Sequence, residues 1–194
     1  MALEPKHRGR KTLAGLLVTL AAGLFYYASQ PGGLPQAIHL PPPGTYHVTK
    51  VIDGDTIEVN YGGHTETVRY IGIDTPETHD PRKPVQCYGL TAAAKNQQLV
   101  GGQNVRLQAD PADDDRDKYH RLLRYVYLPG GTFVNQQLVE QGYAFAYVVF
   151  PNSKLDQFRA WEQEARAADR GLWSACNVDA STDIKQTAGA KNSG

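Results

Sequence analysis

The sequence predicts an α+β fold that is mainly β, a five-stranded barrel with about three helices, preceded by an N-terminal transmembrane helix. Three observations support this prediction. Between residues 46 and 128, β-branched and aromatic residues alternate with polar ones, as they do in half-buried strands. Three other segments have the composition or apolar spacing of helices. Near the start of the chain, an uncharged apolar run stands apart from the rest.

That apolar run, Thr12 to Ala28, follows a basic start at residues 1–11. As a helix its 17 residues would measure about 26 Å, at the short end of what crosses a bilayer. Tyr26 would occupy the −3 position of a cut after Ala28, so we favour an uncleaved signal anchor over a cleaved signal peptide. A buried core helix is disfavoured because the segment precedes a linker instead of joining the domain. The positive-inside rule then places the following domain on the extracytoplasmic side of the membrane, or makes it secreted or periplasmic if the segment is cleaved.

Residues 29–44 are rich in proline and glycine, which is typical of a semi-rigid linker. The folded domain is predicted at residues 45–177. Residues 178–194 are polar and lack aromatic side chains, so we expect a disordered tail.

Within the domain, the pattern predicts strands and helices in a mixed order. The strands are expected at Tyr46 to Val51, Thr56 to Tyr61, His64 to Ile73, Asn104 to Ala109 and Leu122 to Leu128, with an extended segment at Ala144 to Val149. The helices are expected at Tyr88 to Val100, Val134 to Gln141 and Lys154 to Asp169. Five strands with helices on the outside suggest a closed barrel of the oligonucleotide-binding type, the OB-fold.

Two short acidic motifs, residues 53–56 and 74–77, flank the predicted hairpin at Gly62-Gly63. The hairpin would bring Asp55 beside Asp74. Carboxylates and backbone oxygens without Cys or His neighbours suit Ca²⁺ or Mg²⁺. For Asp53 we favour a structural role, a turn closed by its own side chain.

Arg69 and Glu77 complete this acidic patch. Arg69 is one strand away and has a fork of donors that can hold a phosphate, although a salt bridge to Asp74 would also explain it. The alternative for Glu77 is an acidic residue at the surface with no role in a site. A cation, a spare carboxylate and a guanidinium together are the parts of a phosphodiester hydrolase.

Four blocks in order make the chain resemble the thermonuclease family of staphylococcal-nuclease-like domains. The blocks are Asp53-Gly54-Asp55-Thr56, Arg69 to Glu77, Asp117-Lys118-Tyr119-His120-Arg121 and Gly171-Leu172-Trp173. The resemblance covers about Tyr46 to Cys176. It implies the OB-fold and a nuclease that needs Ca²⁺, acts on DNA and RNA with low sequence specificity, and leaves 3′-phosphate ends.

The resemblance also implies a role for each site residue. Asp55, Asp74 and the Thr75 carbonyl would bind Ca²⁺. Glu77 would orient or deprotonate the attacking water, and Arg69 and Arg121 would contact the phosphate. Lys118, Tyr119 and Tyr147 would line the nucleotide pocket. The family's second pocket tyrosine is replaced here by Val149.

The composition limits what else can be inferred about function. The chain has 20 Lys plus Arg and 20 Asp plus Glu, and its basic start leaves the domain slightly acidic. Nucleic-acid binding would therefore depend on a local cluster instead of a general basic charge. The alternatives are a non-catalytic OB-fold domain that binds nucleic acid or protein, and a structural calcium module. We expect a monomer.

The only two cysteines, Cys87 and Cys176, are predicted to form a disulfide, because an even count in an extracytoplasmic domain favours pairing. Two buried thiols are the alternative.

Overall fold

A computed structural model describes residues 44–78 and 84–191. The predicted basic start, the apolar run and nearly all of the linker lie outside the described residues. Within the described part of the chain, no helix is both long and apolar enough to cross a membrane.

Five strands form a closed barrel in the order β1-β2-β3-β6-β5. They are β1 Thr45–Val51, β2 Thr56–Tyr61, β3 His64–Tyr70, β5 Asn104–Gln108 and β6 Leu122–Tyr127. Neighbouring strands run antiparallel except β3 and β6, which are parallel. Their inward side chains, among them Val48, Ile57, Val59, Val68 and Val126, are almost fully buried. The predicted five-stranded OB-type barrel is thus confirmed.

The turn between β2 and β3 is the predicted Gly62-Gly63 pair. Both glycines have positive φ, at 62° and 91°, which a two-residue hairpin turn of this kind requires. The resulting register places Thr56 opposite Arg69. The residues just before β2 therefore lie beside the residues at the end of β3, as the sequence predicts.

Helices α1 Gly89–Val100, α2 Val134–Glu140 and α3 Leu155–Ala167 match the predicted helices to within two residues at each end. A short fourth helix that the sequence analysis did not predict, α4, spans Leu172–Ala175. Buried residues of α2 and α3, such as Leu138 and Phe158, join the barrel core.

The predicted strand His64 to Ile73 is wrong in its last part. The strand ends at Tyr70, and β4 Ile73–Asp74 turns away to pair with β7 Phe145–Ala146, the only strand residues in the predicted segment 144–149. Gly72 makes the break with φ 75°, and a Cβ there would lie 2.3 Å from the Phe158 ring. The break positions Asp74 away from the barrel wall.

The C-terminal region also differs from the prediction of a disordered tail. Strands β8 Cys176–Asp179 and β9 Gln186–Ala190 form an antiparallel hairpin. The tail residues lack the apolar content that marks a strand, but the hairpin is tied to the domain by the predicted Cys87–Cys176 disulfide, which the structure confirms. We name residues 176–190 the C-terminal hairpin.

Candidate active site

The loop before β2 is closed by the side chain of Asp53, whose Oδ1 accepts the Asp55 N–H at 3.0 Å. This is the turn that the sequence predicts for Asp53. Gly54 lies against Thr75, because a Cβ on Gly54 would be 2.6 Å from Thr75 Cγ2. The two acidic motifs are thus packed together without room for a side chain.

The Asp55 carboxylate holds the second motif in place and is almost fully buried. Its Oδ2 accepts the Thr75 backbone N–H at 2.7 Å and the Thr75 hydroxyl at 2.9 Å. Its Oδ1 accepts the Thr56 hydroxyl at 3.1 Å. Charge-assisted bonds of this kind are among the stronger ones in proteins, so the position of Thr75 depends on Asp55.

One guanidinium joins the two predicted metal-binding carboxylates. Arg69 lies 3.3 Å from Asp55 Oδ1 through Nη1 and 2.7 Å from Asp74 Oδ1 through Nη2. Nη1 also donates to the backbone carbonyls of Tyr70 and Ile73, at 3.0 and 2.8 Å. The salt bridge that the sequence offered as an alternative for Arg69 is therefore present, and it fixes the guanidinium in the site.

Burial and the repulsion between neighbouring carboxylates raise the pKa values of two aspartates in this cluster. Burial raises the pKa of Asp74 above its ordinary value and the nearby Asp55 and Glu77 add to the rise, although Arg69 opposes it. Burial and the charge of Asp55 likewise raise the pKa of Asp53. A bound cation would relieve this repulsion.

The donor set fits a hard cation such as Ca²⁺. It would consist of carboxylate oxygens of Asp55 and Asp74 and the Thr75 carbonyl, all oxygen. Among the residues the structure describes, no group of three or more His, Cys, Asp or Glu side chains could hold a metal. The predicted set has only two carboxylates, so water or substrate oxygens would have to supply the remaining ligands.

Glu77 follows directly after Pro76 on the same wall. Its Oε1 accepts the Thr78 backbone N–H at 2.8 Å. Its own N–H donates to the Gln86 side chain at 2.8 Å. The carboxylate is held by its own segment in the same cleft as Asp74.

Arg121 is held by Asp117, a partner that the sequence analysis did not assign. Nε and Nη2 of the guanidinium lie 2.7 and 2.6 Å from Asp117 Oδ2. The Arg121 backbone N–H donates to Asp117 Oδ1 at 3.0 Å. The spacing of four residues between the acid and the arginine was the signal available in the sequence. Asp117 thereby orients the guanidinium of Arg121.

An open cleft of about 1060 Å³ gathers every predicted metal, catalytic and nucleotide-binding residue. Its wall includes Asp55, Arg69, Asp74, Thr75, Glu77, Lys118, Tyr119, Arg121 and Tyr147. Tyr119 is 66% exposed, and the Arg121 guanidinium lies 5.4 Å from the centre of its ring. Val149 is exposed as well but is not part of the cleft wall.

The cleft wall also contains residues that sequence reasoning did not assign to the site. They include Asp113, Asp114, Arg116, Phe150 and Ile184. Ile184 belongs to the C-terminal hairpin, and no motif in the tail indicated that this segment would reach the cleft. Arg116 forms a bidentate pair with Glu66 at 2.9 Å for each bond.

The acidic run at residues 110–115 is not simply a solvated loop, as it would be if unpaired. Asp110 is 5% exposed. Its carboxylate accepts hydrogen bonds from the Tyr125 hydroxyl at 2.5 Å and the Ala112 N–H at 2.9 Å. It also accepts the Ser153 N–H at 2.6 Å and the Ser153 hydroxyl. Asp115 pairs with Arg124 at 2.6 Å. These contacts anchor the loop that leads to Lys118 and Arg121.

Comparison with known proteins agrees with this geometry. A family model described as "Staphylococcal nuclease homologue" matches residues 67–175. Two relatives from Bacillus subtilis (strain 168) are the SPbeta prophage-derived endonuclease YokF, 47% identical over 127 residues, and the endonuclease YncB, 48% identical over 127 residues. The aligned part is 64% of this chain in both cases, and 42% and 59% of the relatives. The chain thus spans only about half the length of these two relatives.

A thermonuclease from Staphylococcus hyicus is 39% identical over 131 residues, which is 67% of this chain and 76% of the relative. The family model covers more than half of the present chain and includes most of the cleft residues. The chain therefore belongs to the family of staphylococcal nuclease homologues.

Proposed function

We propose that the chain is a Ca²⁺-dependent nuclease that hydrolyses phosphodiester bonds of DNA and RNA with low sequence specificity and leaves 3′-phosphate ends. The observation that carries the proposal is the shared cleft, in which Arg69 clamps Asp55 and Asp74 beside Glu77 and Arg121. The names of its relatives, endonuclease and thermonuclease, support the same activity.

Glu77 orients the attacking water and accepts its proton. A carboxylate suits this task because it accepts hydrogen bonds from water and can take up a proton as the new bond to phosphorus forms. The bond from Thr78 to Oε1 holds the carboxylate in one orientation, which reduces the entropy that has to be lost when water and phosphate align.

The two arginines supply donors to the phosphate oxygens. Arg69 and Arg121 both line the cleft, and each is fixed by a carboxylate, Asp74 for the first and Asp117 for the second. Preorganised guanidinium groups stabilise the charge that builds up on the phosphate oxygens in the transition state. The ion pair of Arg121 is with Asp117 and not with Asp55 or Asp74, so we assign Arg121 to the phosphate and do not count it among the residues that hold the metal.

Bound to Asp55, Asp74 and the Thr75 carbonyl, Ca²⁺ would supply a Lewis acid that polarises the phosphate and neutralises the acidic wall. The chain's own residues determine where the substrate lies. Tyr119 and Tyr147 present rings at the cleft wall on which a base can stack without regard to its sequence. Lys118 adds a positive charge beside Tyr119, at 5.0 Å from its ring.

We further propose that residues 12–28 anchor the protein in a membrane and that the domain lies on the extracytoplasmic side, as a monomer. The basic start, the apolar run and the proline-rich linker support the anchor and its orientation. Protease added to spheroplasts would remove the domain and leave a short membrane stub. A full-length chain recovered in the cytoplasmic fraction would contradict the proposal.

The nuclease proposal is tested by incubating the protein with plasmid DNA and with RNA, in Ca²⁺ or in a chelator. Both substrates should be cut in Ca²⁺ alone, and the products should become labelled at 5′ ends by kinase without prior phosphatase treatment. Binding without cleavage would favour the non-catalytic OB-fold domain. Ca²⁺ binding without binding of nucleic acid would favour the structural module.

A further inference from the structure

The backbone of Glu77 is held on both sides by a single residue, Gln86. The Gln86 side-chain oxygen accepts the Glu77 N–H at 2.8 Å. The Gln86 backbone N–H donates to the Glu77 carbonyl at 2.9 Å. These two bonds fix the peptide groups before and after the Glu77 Cα, so they set the direction in which the Glu77 side chain leaves the backbone.

The start of α1 leaves this segment little room to move. The Gly89 N–H donates to the Gln86 carbonyl at 3.0 Å, which places the helix against the residues around Glu77. A Cβ on Gly89 would lie 2.7 Å from Thr78 Cγ2 and 2.9 Å from the Pro76 carbonyl. Only glycine allows so close an approach.

The C-terminal hairpin in turn holds Gln86 and Cys87. The buried Thr187 hydroxyl donates to the Cys87 carbonyl at 2.8 Å, and the disulfide joins Cys87 to Cys176 at the other strand of the hairpin. The Gln186 side chain approaches that of Gln86 at 3.5 Å. Strand β8 is therefore linked to Cys87 by the disulfide, and strand β9 contacts both Cys87 and Gln86.

The same hairpin also contacts α3 and the strand β7, which pairs with β4. Lys185 Nζ lies 3.3 Å from Glu162 Oε2 and 3.4 Å from the Ala146 carbonyl, with both side chains largely buried. Ala146 pairs with Ile73, the residue before Asp74. The hairpin thus bridges the strand pair that carries Asp74 and the segment that carries Glu77.

The matched family region ends at residue 175, one residue before the C-terminal hairpin begins. The contacts between the C-terminal hairpin and residues 86–87 are therefore a property of this chain that the family match does not describe. We propose that Gln86 is a positioning residue for Glu77, and that the C-terminal hairpin holds Gln86 in place through Thr187 and the Cys87–Cys176 disulfide. The catalytic consequence rests on the proposed function, whereas the positioning itself does not.

Amide hydrogen exchange tests the positioning independently of activity. The full chain, in a detergent that keeps its apolar N-terminal run soluble, is compared with Gln86→Met, which keeps the side-chain length but removes the acceptor. Protection of the Glu77 amide should fall by about tenfold or more in Gln86→Met and stay near the parent value in Gln86→Glu, which keeps an acceptor oxygen. Unchanged protection in Gln86→Met would overturn the proposal.

The contribution of the hairpin is tested with two threonine variants. Thr187→Val removes the hydroxyl that holds the Cys87 carbonyl and should lower the protection of the Glu77 amide. The control is Thr49→Val, which removes a hydroxyl-to-carbonyl bond of 3.2 Å to Glu58 between β1 and β2, on the exposed face of the barrel. Equal losses of Glu77 protection in both variants, or no loss in Thr187→Val, would overturn the role of the hairpin.

Kinetics test whether Gln86 acts through Glu77. Gln86→Met should lower kcat by about tenfold or more with little change in KM, because a misplaced carboxylate affects the chemical step. Glu77→Gln and the double variant Glu77→Gln/Gln86→Met should be equally slow. A further loss in the double variant would mean that Gln86 acts by another route. If the parent chain cleaves nothing, the proposed function fails, while the exchange result still decides the positioning.

Discussion

The guanidinium of Arg69, in β3, donates from Nη2 to Oδ1 of Asp74, in β4, at 2.7 Å, across the turn that separates the two strands. Its Nη1, which lies close to Asp55, also donates to the Tyr70 and Ile73 carbonyls on either side of that turn. Arg69 therefore has a structural role in shaping the acidic wall in addition to its position in the cleft. Because one side chain serves both tasks, we expect variants of Arg69 to lose Ca²⁺ affinity and cleavage rate together.

Loss of either of the two proposed metal-binding carboxylates should weaken Ca²⁺ binding. Asp55→Ala and Asp74→Ala each remove one of two carboxylates, and Ca²⁺ titration should show a loss of affinity of about tenfold or more. Asp55→Ala should also destabilise the metal-free protein by about 2 to 3 kcal/mol, because it leaves the Thr75 N–H and hydroxyl without their buried acceptor. Unaltered Ca²⁺ affinity in both variants would show that the ion binds elsewhere.

Arg121→Ala should have the opposite profile. Its guanidinium contacts Asp117 and not Asp55 or Asp74, so Ca²⁺ affinity should remain within a few fold. Single-turnover cleavage should slow by about two orders of magnitude or more, since a donor to the transition-state phosphate is lost. Arg159→Ala, on the exposed side of α3, serves as the control and should cleave at the parent rate. Full activity in Arg121→Ala would contradict the role assigned to it.

The general order of the fold could be predicted from the sequence because it depends on local patterns. Alternating residues predicted β2 to the residue, and apolar spacing predicted α3. The split at Gly72 was not predicted, since it depends on the Phe158 ring behind it, more than 80 residues later in the chain. The hairpin at residues 176–190 was missed for a similar reason, because its polar strands are held by the disulfide and by contacts with residues 86–87.

The candidate site could be predicted as a group of residues but not as a set of contacts. The Gly62-Gly63 turn and the two acidic motifs sufficed to bring Asp55 beside Asp74. The partner of Arg121 and the clamp of Gln86 on Glu77 are side-chain relationships that no single motif specifies. They became visible only once the fold had placed these residues together.

The Cys87–Cys176 disulfide should contribute strongly to stability. It closes a loop with a sequence separation of 89, for which the chain-entropy model gives about 4 to 5 kcal/mol as an upper figure. Denaturant unfolding of the Cys87→Ser/Cys176→Ser double variant should show a loss of free energy of unfolding up to that size. In the parent chain, thiol titration after unfolding without reductant should find no thiol. Two reactive thiols would refute the pairing.

Acid should destabilise the protein through Asp110. Although burial opposes it, bonds from Ser153, Tyr125 and Ala112 lower the pKa of Asp110 to about 2. An unfolded aspartate titrates at about 3.9, so this contribution to stability is complete above about pH 4 and is lost as the pH falls towards 2. Asp110→Asn should be less stable at pH 7 and should show a weaker dependence of unfolding free energy on pH in this range. An unchanged pH dependence would contradict the assignment.

The most direct test of the nuclease proposal compares the parent chain with Glu77→Gln in Ca²⁺, measuring both oligonucleotide binding and cleavage of the same oligonucleotide. If Glu77 activates the attacking water in this cleft, both proteins should bind with similar affinity, and the variant should cleave slower by about two orders of magnitude or more. Binding without cleavage by the parent chain, or equal cleavage by both, would contradict the proposed function.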